Sequence, residues 1–228
     1  MCGRYSLRSE VVPVRFPEVG IDWTGAPRFN VAPGQRAPVI RNLGNQIKWT
    51  EMRWGWLPRS TEKVGVTVRI INARSETVSS KPLFFSAFRH RRCLIPADGF
   101  YEWKAEGQAR LPWRFVRRDG RPLLFAGLWE LSRSSSTPEG YEETFVILTT
   151  RPNAITSDIH DRMPVVLSGE SVDQWLDPYS GALGLEWLCL PMPDEALLRY
   201  RVGLDVNSVH SDSEACIRPA PEQTEWEF

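Results

Sequence analysis

Residues 111–131, LPWRFVRRDGRPLLFAGLWEL, constrain the fold more than any other part of the sequence. Two β-type runs are separated there by Asp119-Gly120, and Asp-Gly between such runs is a strong signal for a tight turn. We therefore expect a β-hairpin. Similar short runs recur along the chain without the regular helical crossovers that a parallel sheet requires. The pattern predicts a single α+β domain with a mixed, mostly antiparallel, barrel-like β-sheet core and short flanking helices.

Other elements follow from local patterns. Residues 37–58 are predicted to form two strands around a turn at 42–45, and residues 143–150 (ETFVILTT) to form a buried strand. Three segments have the pattern of helices, namely 81–92, 171–177 and 193–200. The polar, turn-forming residues 132–143 are expected to be a surface loop.

The chain of 228 residues is long enough for one large core. We expect one domain over residues 1–215 and an acidic, proline-broken, disordered tail over residues 216–228. The 28 basic and 28 acidic side chains cancel, so a nucleic-acid partner would require positive charge that is concentrated locally. The ten tryptophans supply rings of the kind that single-stranded nucleic-acid binders stack on bases.

Cysteine and histidine usage argues against a metal centre. The four cysteines are scattered without a CxxC pair, and there are three histidines. Neither a zinc site nor a disulfide framework is expected, and no cofactor is implied. The sequence has no secretory signal pattern and no apolar stretch of membrane-spanning length. We therefore expect a reducing, cytoplasmic location without membrane contact.

The sequence begins MCGRY, with a cysteine directly after the initiator methionine. The initiator is usually removed when the second side chain is small. Removal would give Cys2 a free α-amine beside its thiol, and thus two nucleophiles on adjacent carbons. An α-amine has a pKa of about 7.7–8.0, so roughly a tenth of the molecules carry a neutral, nucleophilic amine at pH 7. The alternative is an incidental cysteine at a chain end.

Three further segments hold side chains suited to proton transfer or anion recognition. His160 lies among carboxylates in DIHDRMP, after a predicted core strand, although a lone histidine is more often structural. Glu102 in PADGFYEW points opposite to its aromatic neighbours. A surface glutamate is the simple interpretation, whereas burial would raise its pKa toward the range for proton transfer. Asn72 and Arg74 in INARSET lie on one face of an extended chain. The two side chains could bind a phosphate together, or Asn72 could cap a loop next to a surface arginine.

These segments occur in the order MCGRY, NVAP, WGW, NARSET, CLIPADGFYEW and IHDRMP. In this order they resemble the SOS-response-associated peptidase (SRAP) family, from Cys2 to at least Val166. The resemblance implies a protein that senses abasic sites in single-stranded DNA and forms a covalent thiazolidine crosslink through Cys2 once Met1 is removed. It also implies AP-lyase-like and autoproteolytic activities, and we expect a monomer that associates with the nucleoid when bound to DNA.

The resemblance also implies a role for each residue that matches a family motif. Cys2 would be the nucleophile, Asn72 would hold the N-terminal residue, Glu102 would transfer protons during sugar opening and imine formation, and His160 would be the partner acid/base, used in reversal. The implied DNA contacts are the phosphate-binding Arg4, Arg74 and Arg162, the base-stacking Trp54 and Trp56, and Asn30, Pro33 and Thr149 along the DNA path.

Two other functions remain open at this point. Class II glutamine amidotransferases also begin Met-Cys-Gly and use the Cys2 thiol against an amide, so an N-terminal-nucleophile amidohydrolase or peptidase is one alternative. The other is a non-catalytic reader of single-stranded DNA, in which RHRR and RFVRRDGR form basic patches and Cys2 is incidental.

Overall fold

The computed structural model describes residues 2–8, 25–44, 46–57, 69–134, 137–181 and 184–221. The strands are β1 (Tyr5–Leu7), β2 (Arg28–Val31), β3 (Arg36–Leu43), β4 (Gln46–Trp54), β5 (Asn72–Arg74), β6 (Arg92–Ala97), β7 (Gly99–Glu106), β8 (Ala109–Arg117), β9 (Leu123–Arg133), β10 (Tyr141–Thr150), β11 (Met163–Pro164), β12 (Val166–Leu167) and β13 (Leu197–Arg201). The helices are α1 (Ser75–Val78), α2 (Pro82–His90) and α3 (Glu170–Leu176), and 3₁₀ turns occupy Leu185–Leu188, Asp194–Ala196, Leu204–Asn207 and Glu214–Ile217.

Five of the strands close into a barrel. Around the ring the order is β10, β4, β3, β6 and β9, and β9 pairs again with β10. The β10–β4 pair is parallel, whereas the other pairs in the ring are antiparallel. A second, antiparallel sheet has the strand order β13-β8-β7-β1-β2. The predicted mixed, mostly antiparallel, barrel-like core is therefore confirmed.

Large apolar side chains fill the space between the two sheets. Tyr5, Phe100 and Phe115 of the second sheet pack with Trp54 and Phe125 of the barrel, and all five are fully buried. Each such side chain contributes about 1.5–3 kcal/mol by leaving water. We call this cluster the inter-sheet core, and it fixes the second sheet against the barrel.

The helices cover another face of the barrel strands. Phe84, Ala87 and Phe88 of α2 recur at helical spacing and are buried. The Phe88 ring packs edge-on against Trp175 of α3, and the Trp175 indole N–H donates to the Cys93 carbonyl oxygen at 2.9 Å. The helices predicted in 81–92 and 171–177 are thus confirmed. Within the described ranges, no helix is long and apolar enough to cross a membrane.

The two strands predicted in 37–58 are also confirmed, since β3 and β4 pair from Arg36–Arg53 to Leu43–Gln46. The predicted strand in 143–150 forms the buried end of β10.

The hairpin predicted at Asp119-Gly120 is wrong. The turn exists, with Gly120 at φ 71°, but β8 pairs with β7 and β13, whereas β9 pairs with β6, β10 and β12. The chain therefore passes from one sheet to the other at this turn. A local pattern can fix a turn, but packing across strands selects each strand's partner.

Two other expectations need correction. Residues 193–200, predicted as a helix, form a 3₁₀ turn and then β13. Leu197 enters the inter-sheet core, whereas Tyr200 packs on the opposite face of the sheet, as strand geometry requires for residues three apart. The expected loop over 132–143 is shorter than predicted, because Ser132 and Arg133 end β9 and residues 141–143 begin β10, whereas residue 134 and residues 137–140 lie between the two strands. The Ser132 and Thr144 hydroxyls hydrogen-bond at 2.8 Å. Residues 135–136 lie outside the described ranges.

The domain boundary also lies later than expected. Cys216 and Ala220 are buried, and Val202 forms a β-bridge with Pro219. The packed domain therefore continues to residue 221 at least, past the predicted start of the tail at residue 216. Residues 222–228 lie outside the described ranges, so the rest of the tail prediction is not addressed by this structure.

Candidate active site

Strand β1 places the start of the chain beside β7. Tyr5 pairs with Phe100, and the Tyr101 N–H donates to the Arg4 carbonyl oxygen at 3.0 Å. From the first residue of β5, the Asn72 side-chain amide donates to the Cys2 carbonyl oxygen at 3.0 Å. Cys2 is fully buried at the edge of the inter-sheet core. This contact joins β5 to the start of the described chain.

Glu102 is buried on the same side of β7 as the inter-sheet core. Along β7, Tyr101 and Trp103 face the opposite side, where they pack with the C-terminal segment. Glu102 is only 3% exposed, and this burial raises the pKa of its carboxyl group to about 7. The structure thus favours the buried alternative for Glu102 over a surface glutamate.

His160 approaches Glu102 from the turn that follows β10. Its Nε2 lies 3.8 Å from Glu102 Oε2, and its Nδ1 accepts the backbone N–H of Arg162 at 3.0 Å. The carboxylate of Asp161 also lies 3.0 Å from Nδ1, so Nε2 is the ring nitrogen that faces Glu102. Partial burial, as the largest cause, lowers the pKa of His160 below its usual value. Near neutral pH, the pair therefore joins a half-protonated carboxyl group to a neutral imidazole.

Burial raises the pKa of Glu102 and lowers that of His160, so a proton shared by the pair lies on Glu102 and not on His160 near neutral pH. The Cys2 thiol lies in the same electrostatic environment. Burial first, and the Glu102 charge second, hold its pKa well above the usual range, so it is a thiol and not a thiolate. The Asn72 Oδ1 atom is buried and has no hydrogen-bond partner among the described residues. It is an acceptor beside the start of the chain.

The raised pKa of Glu102 has a consequence for stability. The unfolded carboxyl group ionises near about 4.3, whereas the folded one keeps its proton up to about pH 7. The stability that the protonated Glu102 contributes is therefore fully present at low pH and is lost as the pH rises through 7. We expect Glu102→Gln, which is neutral throughout, to raise the free energy of unfolding by about 2–3 kcal/mol at pH 8 and to change it little at pH 4. Urea unfolding at both pH values tests this, and a pH-independent difference contradicts it.

The predicted phosphate-binding residues have different surroundings. Arg74 is exposed. Arg162 forms a two-pronged ion pair with Glu76, at 2.7 and 2.8 Å, and also donates to the Thr149 carbonyl oxygen. Thr149 is itself fully buried. A phosphate would therefore have to compete with Glu76 for the Arg162 guanidinium.

Arg4 and Asn30 are engaged in the fold. The Arg4 guanidinium donates to Asn30 Oδ1 at 2.8 Å and to the Val206 carbonyl oxygen at 2.7 Å. The buried Asn30 amide donates to the carbonyl oxygens of Ser208 and Ser211 at 2.9 and 2.7 Å. These contacts give both residues a structural role on the outer face of the second sheet. Within the NVAP segment, only Pro33 is exposed.

The prediction that Trp54 and Trp56 stack on DNA bases needs correction. Trp54 is fully buried, stacks on Phe145 and donates its indole N–H to the Ile71 carbonyl oxygen at 2.9 Å. Trp56 is 2% exposed and stacks on Phe84 with centroids 5.3 Å apart. Neither indole presents a ring face to solvent, because both complete the packing of the protein interior.

Sequence reasoning missed Trp113 as a site residue. It is directly opposite Glu102 in the β7–β8 register, is largely buried, and its Nε1 has no hydrogen-bond partner in the described part of the chain. The sequence does contain two strand-like segments on either side of Gly107-Gln108. Pairing them as a hairpin places Trp113 next to Glu102. Within the described ranges, no cluster of three or more histidine, cysteine, aspartate or glutamate residues could hold a metal ion.

Comparison with known proteins identifies relatives over almost the whole chain. The family model for SOS response associated peptidase (SRAP) matches residues 1–209. The chain is 37% identical to "Abasic site processing protein YoqW" of Bacillus subtilis, over 93% of this chain and 97% of that protein. It is 32% identical to "Abasic site processing protein YedK" of Escherichia coli, over 77% and 79% of the two chains.

Solved structures agree with these relatives. A crystal structure from Bordetella bronchiseptica superposes with a TM-score of 0.73 at 27% identity, over 89% of this chain and all of that chain. A protein from Bacteroides thetaiotaomicron gives the same TM-score at 25% identity, over 96% and 92%. The family model covers most of the chain. This protein therefore belongs to the SOS response associated peptidase (SRAP) family.

Proposed function

We propose that this protein recognises abasic sites in single-stranded DNA and traps them as a covalent adduct on Cys2 after removal of Met1. The observation that carries the proposal is the placement of Cys2, held through its carbonyl by Asn72, beside the buried Glu102–His160 pair. The names of the relatives support the same substrate, since they are called abasic site processing proteins.

The chemistry follows from the two nucleophiles of an N-terminal cysteine. A ring-opened abasic sugar exposes an aldehyde at C1′. The α-amine of Cys2 adds to that carbon, and loss of one water gives an imine. The Cys2 S–H then adds across the C=N bond, with sulfur bonding to carbon and the proton passing to nitrogen. The product is a thiazolidine, and the net reaction releases one water.

Each neighbouring residue has a task in this sequence. Glu102, with a pKa of about 7, can donate a proton to the departing hydroxyl of the carbinolamine and then accept one from the thiol. His160 can relay a proton to Glu102 after taking one up from solvent, because only its protonated ring is an acid, and the same transfer can assist the reverse reaction. The Asn72 Oδ1, which has no hydrogen-bond partner among the described residues, can accept from the α-amine.

The electrostatics favour this reaction over thiol peptidase chemistry. A cysteine peptidase needs a thiolate, and hence a thiol with a lowered pKa. The pKa of the Cys2 thiol is raised by burial and by the Glu102 charge. Addition of the amine comes first in the proposed route, and the thiol then adds within the same residue without having to be ionised beforehand. Autoproteolysis is therefore the weaker of the proposed activities.

Strand cleavage is a side reaction of the same intermediate. An imine acidifies the neighbouring C2′–H, and removal of that proton by Glu102 would expel the 3′ phosphate by β-elimination. Ring closure by the thiol consumes the imine before this occurs. We therefore propose that lyase-like cleavage is slow in the native protein and faster when the thiol is absent.

The buried site also favours a single strand. A reacting sugar must leave a stacked duplex to reach a residue with no exposed surface, and this costs least in single-stranded DNA. The proposed contacts to flanking phosphates are the exposed Arg74 and the half-buried Arg162, which a phosphate would have to release from Glu76. We further propose that the protein acts as a monomer in the cytoplasm.

Incubation with a single-stranded oligonucleotide that carries one abasic site tests the proposed function. We expect a species that survives a denaturing gel, with an intact mass equal to protein plus DNA minus one water. Glutamine hydrolysis without a DNA adduct would instead support an amidohydrolase. Binding without any covalent species would support a non-catalytic reader.

The adduct-formation rate should depend on pH as a bell with its maximum near pH 7. On the acid side, the rate falls because the α-amine and His160 become protonated. On the alkaline side, it falls because Glu102 loses the proton that it donates above about pH 7. Single-turnover rates between pH 5 and 9 measure both limbs. Glu102→Gln should be slower and lose the alkaline limb, and a native profile in that variant would exclude Glu102 as the acid.

A further inference from the structure

A cavity lies on the outer face of the β13-β8-β7-β1-β2 sheet. Trp113 and Phe115 of β8 point into the inter-sheet core, so Arg114 between them points outward, as does its cross-strand neighbour Tyr200. Arg114 and Tyr200 line a cavity of about 370 Å³ between the turn after β8 and the C-terminal segment. Glu102 faces the inter-sheet core, and the cavity is therefore separate from the proposed active site.

The cavity concentrates positive charge on a chain that is neutral overall. Its lining holds five arginines, Arg8, Arg114, Arg117, Arg121 and Arg218, against two acidic residues. A recess with this excess of guanidinium groups attracts anions and suits the geometry of phosphate oxygens.

Two of these arginines are exposed and form only weak ion pairs. The Arg121 side chain is 63% exposed and lies 3.2 Å from Asp119, which is already bound in a fork by Arg117. The Arg218 side chain is 72% exposed, and its closest carboxylate oxygen, on Glu214, is 3.7 Å away. Exposed pairs of this kind contribute little to stability, so both guanidinium groups can turn toward an incoming anion.

Asp98 and Arg114, which also line the cavity, each have a buried polar atom without a hydrogen-bond partner among the described residues. Asp98 accepts from Arg8 and, at 2.9 Å, from Arg114, in both cases at its Oδ2. Its Oδ1 is buried without a hydrogen-bond partner among the described residues, and Arg114 Nε is in the same condition. The Asp98 side chain is 3% exposed. A buried carboxylate oxygen without a donor is costly, and a ligand hydroxyl or amino group would satisfy it.

We propose that this cavity binds a small phosphomonoester that also carries hydroxyl or amino donors, such as a nucleoside monophosphate. The phosphate is held by Arg121 and Arg218 at the entrance. A hydroxyl or amino group donates to Asp98 Oδ1, and Val116 and Ile217 supply apolar wall for a sugar or base. The volume is within the range typical of small-molecule sites. The inference does not depend on the reaction at Cys2.

Isothermal titration of the native protein with deoxyadenosine 5′-monophosphate tests the proposal. Deoxyadenosine and inorganic phosphate each lack one half of the proposed ligand, and both should bind at least about tenfold more weakly. A 5′-phosphorylated oligonucleotide distinguishes a free nucleotide from a DNA end. Binding of the oligonucleotide alone would overturn the small-molecule proposal, and so would equal binding of deoxyadenosine.

The double substitution Arg121→Ala with Arg218→Ala should weaken nucleotide binding at least about tenfold. Both side chains are exposed, so folding is not at risk. The matched control is Arg36→Ala with Arg89→Ala, which removes the same charge from exposed positions outside the cavity lining. Unchanged binding in the first variant, or equal loss in the control, would refute the site.

Discussion

Cys2→Ala is expected to abolish the adduct that survives denaturation, with a loss of at least about 100-fold. The variant keeps the α-amine, so it can still form an imine with an abasic site. It lacks the sulfur that closes the ring, and the imine therefore hydrolyses back to the aldehyde. Borohydride, which reduces an imine to a stable amine, should recover a covalent product from Cys2→Ala. Denaturing gels with and without borohydride measure the two states.

Controls separate this chemistry from a folding defect. Cys216→Ala also truncates a fully buried cysteine, but on the outer face of the second sheet, and it should crosslink at the native rate. Cys2→Ser keeps the size of the side chain and offers an oxazolidine, which should be a weaker and more reversible adduct. Full adduct formation by Cys2→Ala without borohydride would exclude the thiazolidine.

A chain that keeps residues before Cys2 is expected to form no stable adduct at all. An extension converts the Cys2 nitrogen to an amide, which is not nucleophilic and cannot form an imine. The thiol alone gives only a hemithioacetal, which reverses on denaturation. Unlike Cys2→Ala, the extended chain should also give little product with borohydride, because its free amine belongs to a different residue.

A protease-cleavable N-terminal extension makes this comparison within one preparation. Before cleavage the protein should be inert, and after cleavage that leaves Cys2 first it should crosslink fully. The same extension on the Cys2→Ala chain controls for the cleavage itself. Equal adduct before and after cleavage would show that another amine, such as a lysine, reacts with the abasic site.

The fold was predictable where the signal is local. Strands β3 and β4 meet across a short turn, so their pairing follows from adjacent sequence. The turn at Gly120 was equally visible, but the strands on either side join different sheets, since their partners are chosen by contacts distant in the chain. Leu197 and Tyr200 fit a helix or a strand equally well until their neighbours are known.

The residues of the candidate site could be selected from the sequence only through family motifs. Asn72, Glu102 and His160 lie on three separate elements, and no periodicity in the sequence brings them to Cys2. The burial of individual side chains was harder to predict than their identity. Tryptophans such as Trp54 and Trp56 can pack in the protein interior or stack on DNA bases at the surface. The sequence around them does not distinguish the two. The pKa of Glu102 depends on that same burial and was therefore open until the structure was known.

The hydrogen bonds that tie Arg4 and Asn30 to residues 206–211 bear on how the protein is made. The segment that Arg4 and Asn30 contact lies 176 to 202 residues further along the chain. These hydrogen bonds can therefore form only after residues 206–211 have been synthesised. Because the proposed adduct needs a free Cys2 amine, over-expressed preparations should be checked for retained methionine before any activity is assigned.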